Sequence, residues 1–223
     1  MTMFLSRIAM NPYLPEAREV LSNTQLLHVA VMGMFDAYSK DTSGKSTDRS
    51  KGTGAPLWRL DAAVDSLSLV VLSGDKPHTS DLVKRIGWDD GTDGAVVVAD
   101  YSAFLDSLRN GQHYGFRTTV NMVQRSGGRV VNVAASPNAK LAWLAKTSRN
   151  NGFRVVSIPE VTSITDVFRK KIGDSSRQVT LDKTTVNGHL EVLDADSLRA
   201  ALSHGLGRAR AYGCGLVTLA AAE

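Results

Sequence analysis

Positions on one helical face recur three or four apart from Glu16 onward: Ala17, Val20, Leu21, Thr24, Leu27, His28, Val31 and Phe35. Ser22, with Gln25 three residues later, fits a capping box, so the helix is expected to restart there. Ahead of it, Phe4 to Met10 has strand length and is closed by Asn11-Pro12. Residues 39–56 hold no large apolar side chain and predict a flexible loop. Leu57 to Asp61 and Leu67 to Ser73 then predict two strands turning at Ala63-Val64-Asp65. The stretch to about Ala99 reads as polar, and Ser102 to Leu108 predicts a short helix ended by Asn110-Gly111.

The remainder repeats that order. Tyr114 to Val123 is an expected strand, followed by a turn at Gly127-Gly128 and an extended piece from Arg129 to Val133. Pro137 to Arg149 predicts a helix with Leu141, Leu144 and Ala145 on one face, closed by Asn150-Asn151-Gly152. Phe153 to Ile158, Ile164 to Ile172 and Gln178 to Val192 predict strands, with hairpin turns at Gly173-Asp174 and Asn187-Gly188. Asp194 caps a helix over Ala195 to Ser203, and Cys214 to Leu219 is the last expected strand. The order β-α-β-β-α-β is the ferredoxin-like unit, shared with the RNA-recognition motif. Two copies predict an α+β chain of two tandem ferredoxin-like domains, 1–110 and 111–223, the first copy incomplete in the pattern. The aromatic motifs of RNA-recognition domains are missing, and fold alone does not assign function.

Composition narrows the class. Of 223 residues, 43% are hydrophobic and 22% charged, a globular balance with enough chain for a substantial core. The single cysteine, Cys214, excludes an internal disulfide and a multi-cysteine zinc site. Neither a membrane-length apolar run nor a signal peptide is visible, so a soluble cytoplasmic protein is expected. The net charge of +4 is unevenly spread. Residues 1–110 carry 11 Lys/Arg against 14 Asp/Glu, whereas 111–223 carry 15 against 8. A basic half suits a polyanion such as nucleic acid, or else is ordinary solubility charge.

Four local patterns carry candidate chemistry. His28 lies on the helical stripe, either as a proton-transfer group or as a core histidine bonded to backbone. Gly205 to Gly215, GLGRARAYGCG, places four glycines with Arg208 and Arg210 between a helix and a strand. Gly205, Gly207, Gly213 and Gly215 permit close backbone approach and positive φ, and exposed amides and arginines hold anions. A helix C-cap with a turn is the structural alternative. The spacing is not the dinucleotide fingerprint, and Gly44-Lys45-Ser46 lacks the upstream glycine of a phosphate loop, since position 39 is Ser39. Arg169-Lys170-Lys171 beside an expected hairpin suits an RNA groove, or an edge strand guarded by charge. Arg129, with Arg117, Arg125 and Arg154, belongs to the same basic half. His78, His113, His189 and His204 show no metal-ligand spacing, and no metal or cofactor is expected.

Several segments together resemble one family: FLSRIAMNP from Phe4, LHVAV from Leu27, LWRLD from Leu57, KLAWLAK from Lys140 with GFRV, VNGHLEVLD from Val186, and HGLGRARAYGCGLVTLA from His204. The chain is similar in this to the CasE-type CRISPR endoribonucleases of type I-E systems. The resemblance implies tandem ferredoxin-like domains and metal-independent cleavage of precursor CRISPR RNA. The RNA's own 2′-hydroxyl would attack the adjacent phosphate, leaving a 2′,3′-cyclic phosphate. It implies recognition of the repeat stem-loop and retention of the mature CRISPR RNA within the Cascade complex. Partners would be the other Cascade subunits, the adjacent backbone subunit first, with target DNA met only indirectly and no membrane. The family's catalytic histidine falls on His28, its basic hairpin on Arg169, Lys170 and Lys171, and its glycine-rich loop on Gly205 to Gly215. Gln25 stands where some relatives carry tyrosine, with a phosphate contact as its expected role. A lysine-like donor near Gly33 is missing, and Thr119 replaces a basic residue.

Two other readings stand beside this one: an RNA-binding subunit that no longer cleaves, and a small-molecule-binding protein of the same fold. For the loop, nothing in 39–56 has apolar surface to bury. Replacing it with a short glycine-serine linker should leave the thermal midpoint nearly unchanged, since each doubling of loop length costs only about 0.6 kcal/mol. Differential scanning calorimetry checks this, and a large drop in midpoint would show that the loop packs on the body.

Overall fold

The computed structural model describes residues 2–36, 54–88, 95–133, 136–172 and 175–221, without the side chains of 125, 126, 129, 130, 171 and 172. The loop expected at 39–56 and the turn expected at Gly173-Asp174 fall largely or wholly outside them. The chain divides into two compact units. The first comprises 1–102, 168–179 and 211–213, and the second 103–167, 180–210 and 214–223.

In the first unit, β1 (Phe4–Ala9) leads into helices α1 (Pro15–Leu21) and α2 (Thr24–Met32), then β2 (Leu57–Ala62), β3 (Leu67–Ser73), α3 (Ser80–Ile86) and β4 (Val96–Asp100). The strands pair antiparallel in the order β2-β3-β1-β4. That is a complete ferredoxin-like unit, where the residue pattern shows an incomplete one. α3 and β4 are the missing pieces. α3 buries only Leu82 and Ile86, and β4 is an edge strand whose valines are half-exposed or exposed. Short elements that bury so little leave a weak periodic signal. The β2-β3 turn forms where expected, closed by Ala63 N–H on the Ser66 carbonyl at 2.8 Å.

The helical stretch near residue 22 breaks differently from the expectation. Asn23, not Ser22, is the cap: its side chain accepts from the Gln25 N–H. The Ser22 hydroxyl instead donates back to the Glu19 carbonyl, so no Ser22–Gln25 capping box forms. The second helix buries Leu27 and Val31 against Ile8, Trp58, Leu69 and Val71. Phe35 lies beyond the end of α2 but is still buried.

α4 (Ser102–Ser107) leads into the second unit, with β5 (His113–Val120), the hairpin β6 (Val123–Ser126) and β7 (Arg129–Asn132), α5 (Pro137–Asn150), β8 (Phe153–Val155), β9 (Glu160–Ile172), β10 (Ser175–Val192), α6 (Ala195–His204) and β11 (Val217–Ala221). Its sheet runs β11-β5-β10-β8, with β9 pairing β10, so this unit is ferredoxin-like too, with two hairpin insertions. The far ends of β9 and β10 belong to the first unit. Asp194 caps α6 as expected, accepting from the N–H groups of Asp196 and Ser197.

Asn187-Gly188 makes no turn. β10 continues through it, pairing Asn187 with Arg117 and Gly188 with Phe116. The glycine is there for room: a Cβ on it would meet the Phe116 ring at 3.2 Å. Asn187 Oδ1 accepts from Arg117 Nη1 at 3.0 Å. Among the described residues, no helix is long and apolar enough to cross a membrane.

One charged contact holds β2. Arg59 is 2% exposed and forms a fork on Asp61, Nε to Oδ1 at 2.6 Å and Nη2 to Oδ2 at 2.8 Å. The two lie two residues apart, hence on one face of the strand. Removing Asp61 takes a bidentate carboxylate away from a buried guanidinium, a loss that destabilises the folded state. Asp61→Ala should therefore lower the urea midpoint of unfolding clearly, with far-UV circular dichroism as the readout.

Candidate nucleic-acid interface and proton-transfer site

Burying Leu27 and Val31 turns His28 and Gln25 toward the flank of α2, three residues apart and therefore neighbours on the helix surface. Both side chains are half-buried. His28 Nδ1 and Gln25 Oε1 are each shut from solvent without a hydrogen-bond partner among the described residues. Such groups cost free energy, and native proteins keep them chiefly where a site uses them. Burial, and after it the Lys170 ammonium, hold the His28 imidazole below its ordinary value of 6.5. Near neutral pH the ring is therefore uncharged and able to accept a proton.

Three side chains from distant parts of the sequence surround this helix flank, all within the first unit. Tyr212 ends a single 3-10 turn, Arg210–Tyr212, and its ring centroid is 6.1 Å from that of His28, with the planes at 60°. Phe168, buried on β9, packs on Tyr212 at 4.9 Å. Lys170 Nζ lies 5.8 Å from the Tyr212 ring centroid. A cation and a proton acceptor thus meet at one aromatic ring. The arrangement is suited to a phosphodiester: the cation meets its charge while the imidazole takes a proton from a neighbouring hydroxyl.

Of the basic strand residues, Arg169 points away into solvent, as alternation along a strand requires, and donates from Nη1 to Ser176 Oγ at 3.2 Å. Among the described side chains of this strand segment, the basic one that reaches the His28 neighbourhood is Lys170. The side chains of Lys171 and of Arg129, which stands on β7, lie outside the described ones.

The glycine run has a structural account at each glycine. Gly205, Gly207, Gly213 and Gly215 all have φ between +71° and +91°. A Cβ on Gly213 would lie 2.8 Å from the Trp58 ring, and one on Gly215 would lie 2.7 Å from the Leu206 carbonyl oxygen. Gly207 has space around it and is set by its φ alone. Arg208 and Arg210 are both outward-facing, and Arg210 Nε donates to the Gly207 carbonyl at 3.2 Å. Between them Ala209 adopts φ +59°, a conformation that costs a residue with a Cβ about 1–2 kcal/mol. The run therefore presents two arginines on a backbone of unusual shape, and also seals itself: Leu206 N–H donates to Gly215, and Gly215 N–H to Thr119.

Sequence reasoning singles out His28, Gln25 and Lys170 but not Tyr212, Phe168 or Trp58. The available signal is Tyr212 itself, the one aromatic residue in the run from Gly205 to Gly215. A groove of about 390 Å³ on another side of α2, lined by Glu16, Leu26, Val29 and His78 among others, does not include His28. Among the described residues, no group of three or more His, Cys, Asp and Glu side chains could hold a metal ion.

The model of one protein family, described as CRISPR associated protein, matches residues 3–221. The CRISPR-associated endoribonuclease Cse3 of Thermus thermophilus is 28% identical, over 98% of this chain and all of the relative. Among solved structures, a CRISPR endoribonuclease Cse3 bound to a 19-nucleotide RNA superposes with a TM-score of 0.78 at 24% identity, covering 99% of this chain and all of that one. Cas6e of Escherichia coli K-12 superposes at 0.59 with 17% identity, covering 98% and 100%. These structural likenesses bear on the fold, and both ferredoxin-like units fall inside them.

The tight seat of Gly213 yields a test of how the site is built. Gly213→Ala should lower the unfolding midpoint, because both its φ and the Trp58 ring oppose a methyl group. Gly207→Ala, strained only in φ, should lower it less, by about 1 kcal/mol. Thermal melts of the two variants check the order.

Proposed function

The chain belongs to the CRISPR associated protein family, and on that premise we propose that it is an endoribonuclease of precursor CRISPR RNA. In this reading it binds the repeat stem-loop, cuts it without a metal ion, and keeps the mature RNA as a Cascade subunit beside the backbone subunit. The observation that carries it is local. The lysine of the basic strand stands over the ring that flanks His28, so a phosphate held by the strand is brought to a group able to move a proton. The full-length match and the endoribonuclease name of the Thermus relative support the substrate class.

The chemistry follows from what the residues offer. His28, uncharged, takes the proton of the 2′-hydroxyl as that oxygen attacks the adjacent phosphorus. The new 2′-O–P bond forms while the bond to the 5′-oxygen breaks, and the leaving oxygen takes a proton from Lys170 or solvent. The Lys170 ammonium meets the charge that builds on the phosphate, where electrostatic stabilisation acts most strongly. Gln25, one turn earlier, has an amide that donates a hydrogen bond to a phosphate oxygen. The products are a 2′,3′-cyclic phosphate and a free 5′-hydroxyl. Arg169, Lys171, Arg129, Arg208 and Arg210, with the exposed backbone at Gly207, supply sequence-independent contacts that hold the stem.

Labelled repeat RNA, incubated with the protein in EDTA, should be cut once and yield a cyclic phosphate. A 2′-deoxy nucleotide at the cut site should abolish the cut. His28→Ala should slow single-turnover cleavage by at least about 100-fold, the lower range for a general acid or base, with little change in binding. The pH profile of kcat/KM reports the free enzyme, so it should rise with pH as His28 loses its proton, with its half-rise below the ordinary imidazole value of 6.5. A profile that falls with pH would make the imidazolium the acid instead. Binding without cleavage in every condition would leave an RNA-binding subunit.

The hairpin cations are tested separately. Arg169→Ala with Lys170→Ala should weaken RNA binding and flatten its salt dependence, by about one unit of slope for each phosphate no longer held. An unchanged slope would make the strand a charge-guarded edge that RNA does not touch.

A further inference from the structure

Tyr212 takes no proton and touches no phosphate in the reaction just written, yet its ring is the surface on which the site is assembled. Phe168, itself 4% exposed, supports the ring at 4.9 Å, and His28 packs against it at 6.1 Å. Lys170 brings its ammonium to 5.8 Å from the ring centroid, within the range at which an aromatic face attracts a cation. The backbone beside the ring is fixed as well. Gly213 lies so close to Trp58 that no Cβ fits, and Trp58 is fully buried. Tyr212 is thus held from below by Phe168 and from the side by the Gly213–Trp58 contact.

A lysine ammonium rides on a four-carbon stem and samples many rotamers when nothing restricts it. Alternation along β9 sets Lys170 on the face of Phe168, opposite the exposed Arg169, and on that face the Tyr212 ring is where its ammonium comes to rest. Resting on the endoribonuclease reading, we propose that Tyr212 is a positioning residue, whose ring holds the Lys170 ammonium beside His28 so that cation and imidazole meet the same phosphate. The contacts are made by the ring, so the role belongs to the ring and not to the hydroxyl. It acts through Lys170 and His28 and makes no contact with the reacting atoms.

The ring also joins two electrostatic neighbours. Among the described residues, the charged or titratable groups facing His28 are Lys170 from β9 and Tyr212 from the turn. Its own helix adds the neutral Gln25 one turn earlier. Lys170 is one of the two causes that hold the His28 imidazole low. A Lys170 released from the ring relaxes that cause, and the imidazole titrates at higher pH.

The test compares Tyr212→Leu, which keeps apolar bulk without an aromatic face, with Tyr212→Phe, which keeps the face without the hydroxyl. Three quantities are measured: single-turnover cleavage of a labelled repeat stem-loop at saturating protein, binding of the same RNA, and the His28 titration by NMR in the RNA-free protein. Tyr212→Leu should cleave about 10- to 100-fold more slowly, the size of loss a misplaced group produces, with RNA binding nearly intact. Its His28 should titrate at higher pH. Tyr212→Phe should match the parent in all three. Parental cleavage with an unmoved His28 titration in Tyr212→Leu would overturn the proposal, and so would equal losses in Phe and Leu, which would assign the role to the hydroxyl. If Tyr212→Leu fails to fold, Lys170→Met decides: it should raise the His28 titration, and an unmoved one overturns the coupling. Should the parent fail to cut the RNA, the endoribonuclease reading falls, while the His28 titrations still decide the positioning.

Discussion

Gly213 lies against the indole of Trp58 with no space for a side chain between them, and the surroundings of His28 depend on that approach. Trp58 belongs to β2 and is 1% exposed, so it cannot yield without opening the core that Ile8, Leu27, Leu69 and Val71 share with it. A close-packed interior transmits such a constraint without slack. The turn carrying Tyr212 is therefore pinned one residue from its aromatic ring. From the ring the order passes to Phe168 and Lys170 on β9, and to His28 on α2. Four chain segments far apart in sequence thus share one reference point, and that point is a tryptophan.

The electrostatics follow from the packing. α2 turns His28 to its flank because Leu27 and Val31 must be buried, and the flank is shielded enough to leave Nδ1 without solvent. Shielding alone favours the uncharged ring. The nearby ammonium adds to it, and the two causes act in one direction. A phosphate entering between them acts in the other direction, since it lowers the cost of charge on both partners. The protonation state of the imidazole is thus tied to whether an anion is present, which suits a group that takes up a proton while phosphate is bound.

Much of the fold is legible because strand and helix periods differ so plainly here. β1, β2 and β3 are set by their buried apolar residues, β3 being buried on both faces, and α5 is set by its length and its caps. α3 and β4 escape the pattern because they bury few residues, and Asn187-Gly188 reads as a turn because a glycine needed for the Phe116 ring has the same letters as a hairpin. The cap falls on Asn23 rather than Ser22 for a similar reason: both residues are good caps, and backbone geometry chooses between them. At the site, His28 and Lys170 are visible as residue types at telling positions. Tyr212 is not, because its role comes from tertiary contacts with Phe168 and His28 that no local pattern encodes.

The first unit is not a continuous stretch of chain: it takes 168–179 and 211–213 from beyond most of the second. A chain emerging from the ribosome carries His28 early, but Lys170 only after β9 is made and Tyr212 later still. Until then α2 has neither the ring nor the ammonium at its flank. A nascent or truncated molecule can therefore own a folded sheet and a histidine while lacking the group that sets its surroundings. The order of synthesis thus keeps an unfinished chain from holding the assembled site, and the last turn to arrive is the one that completes it.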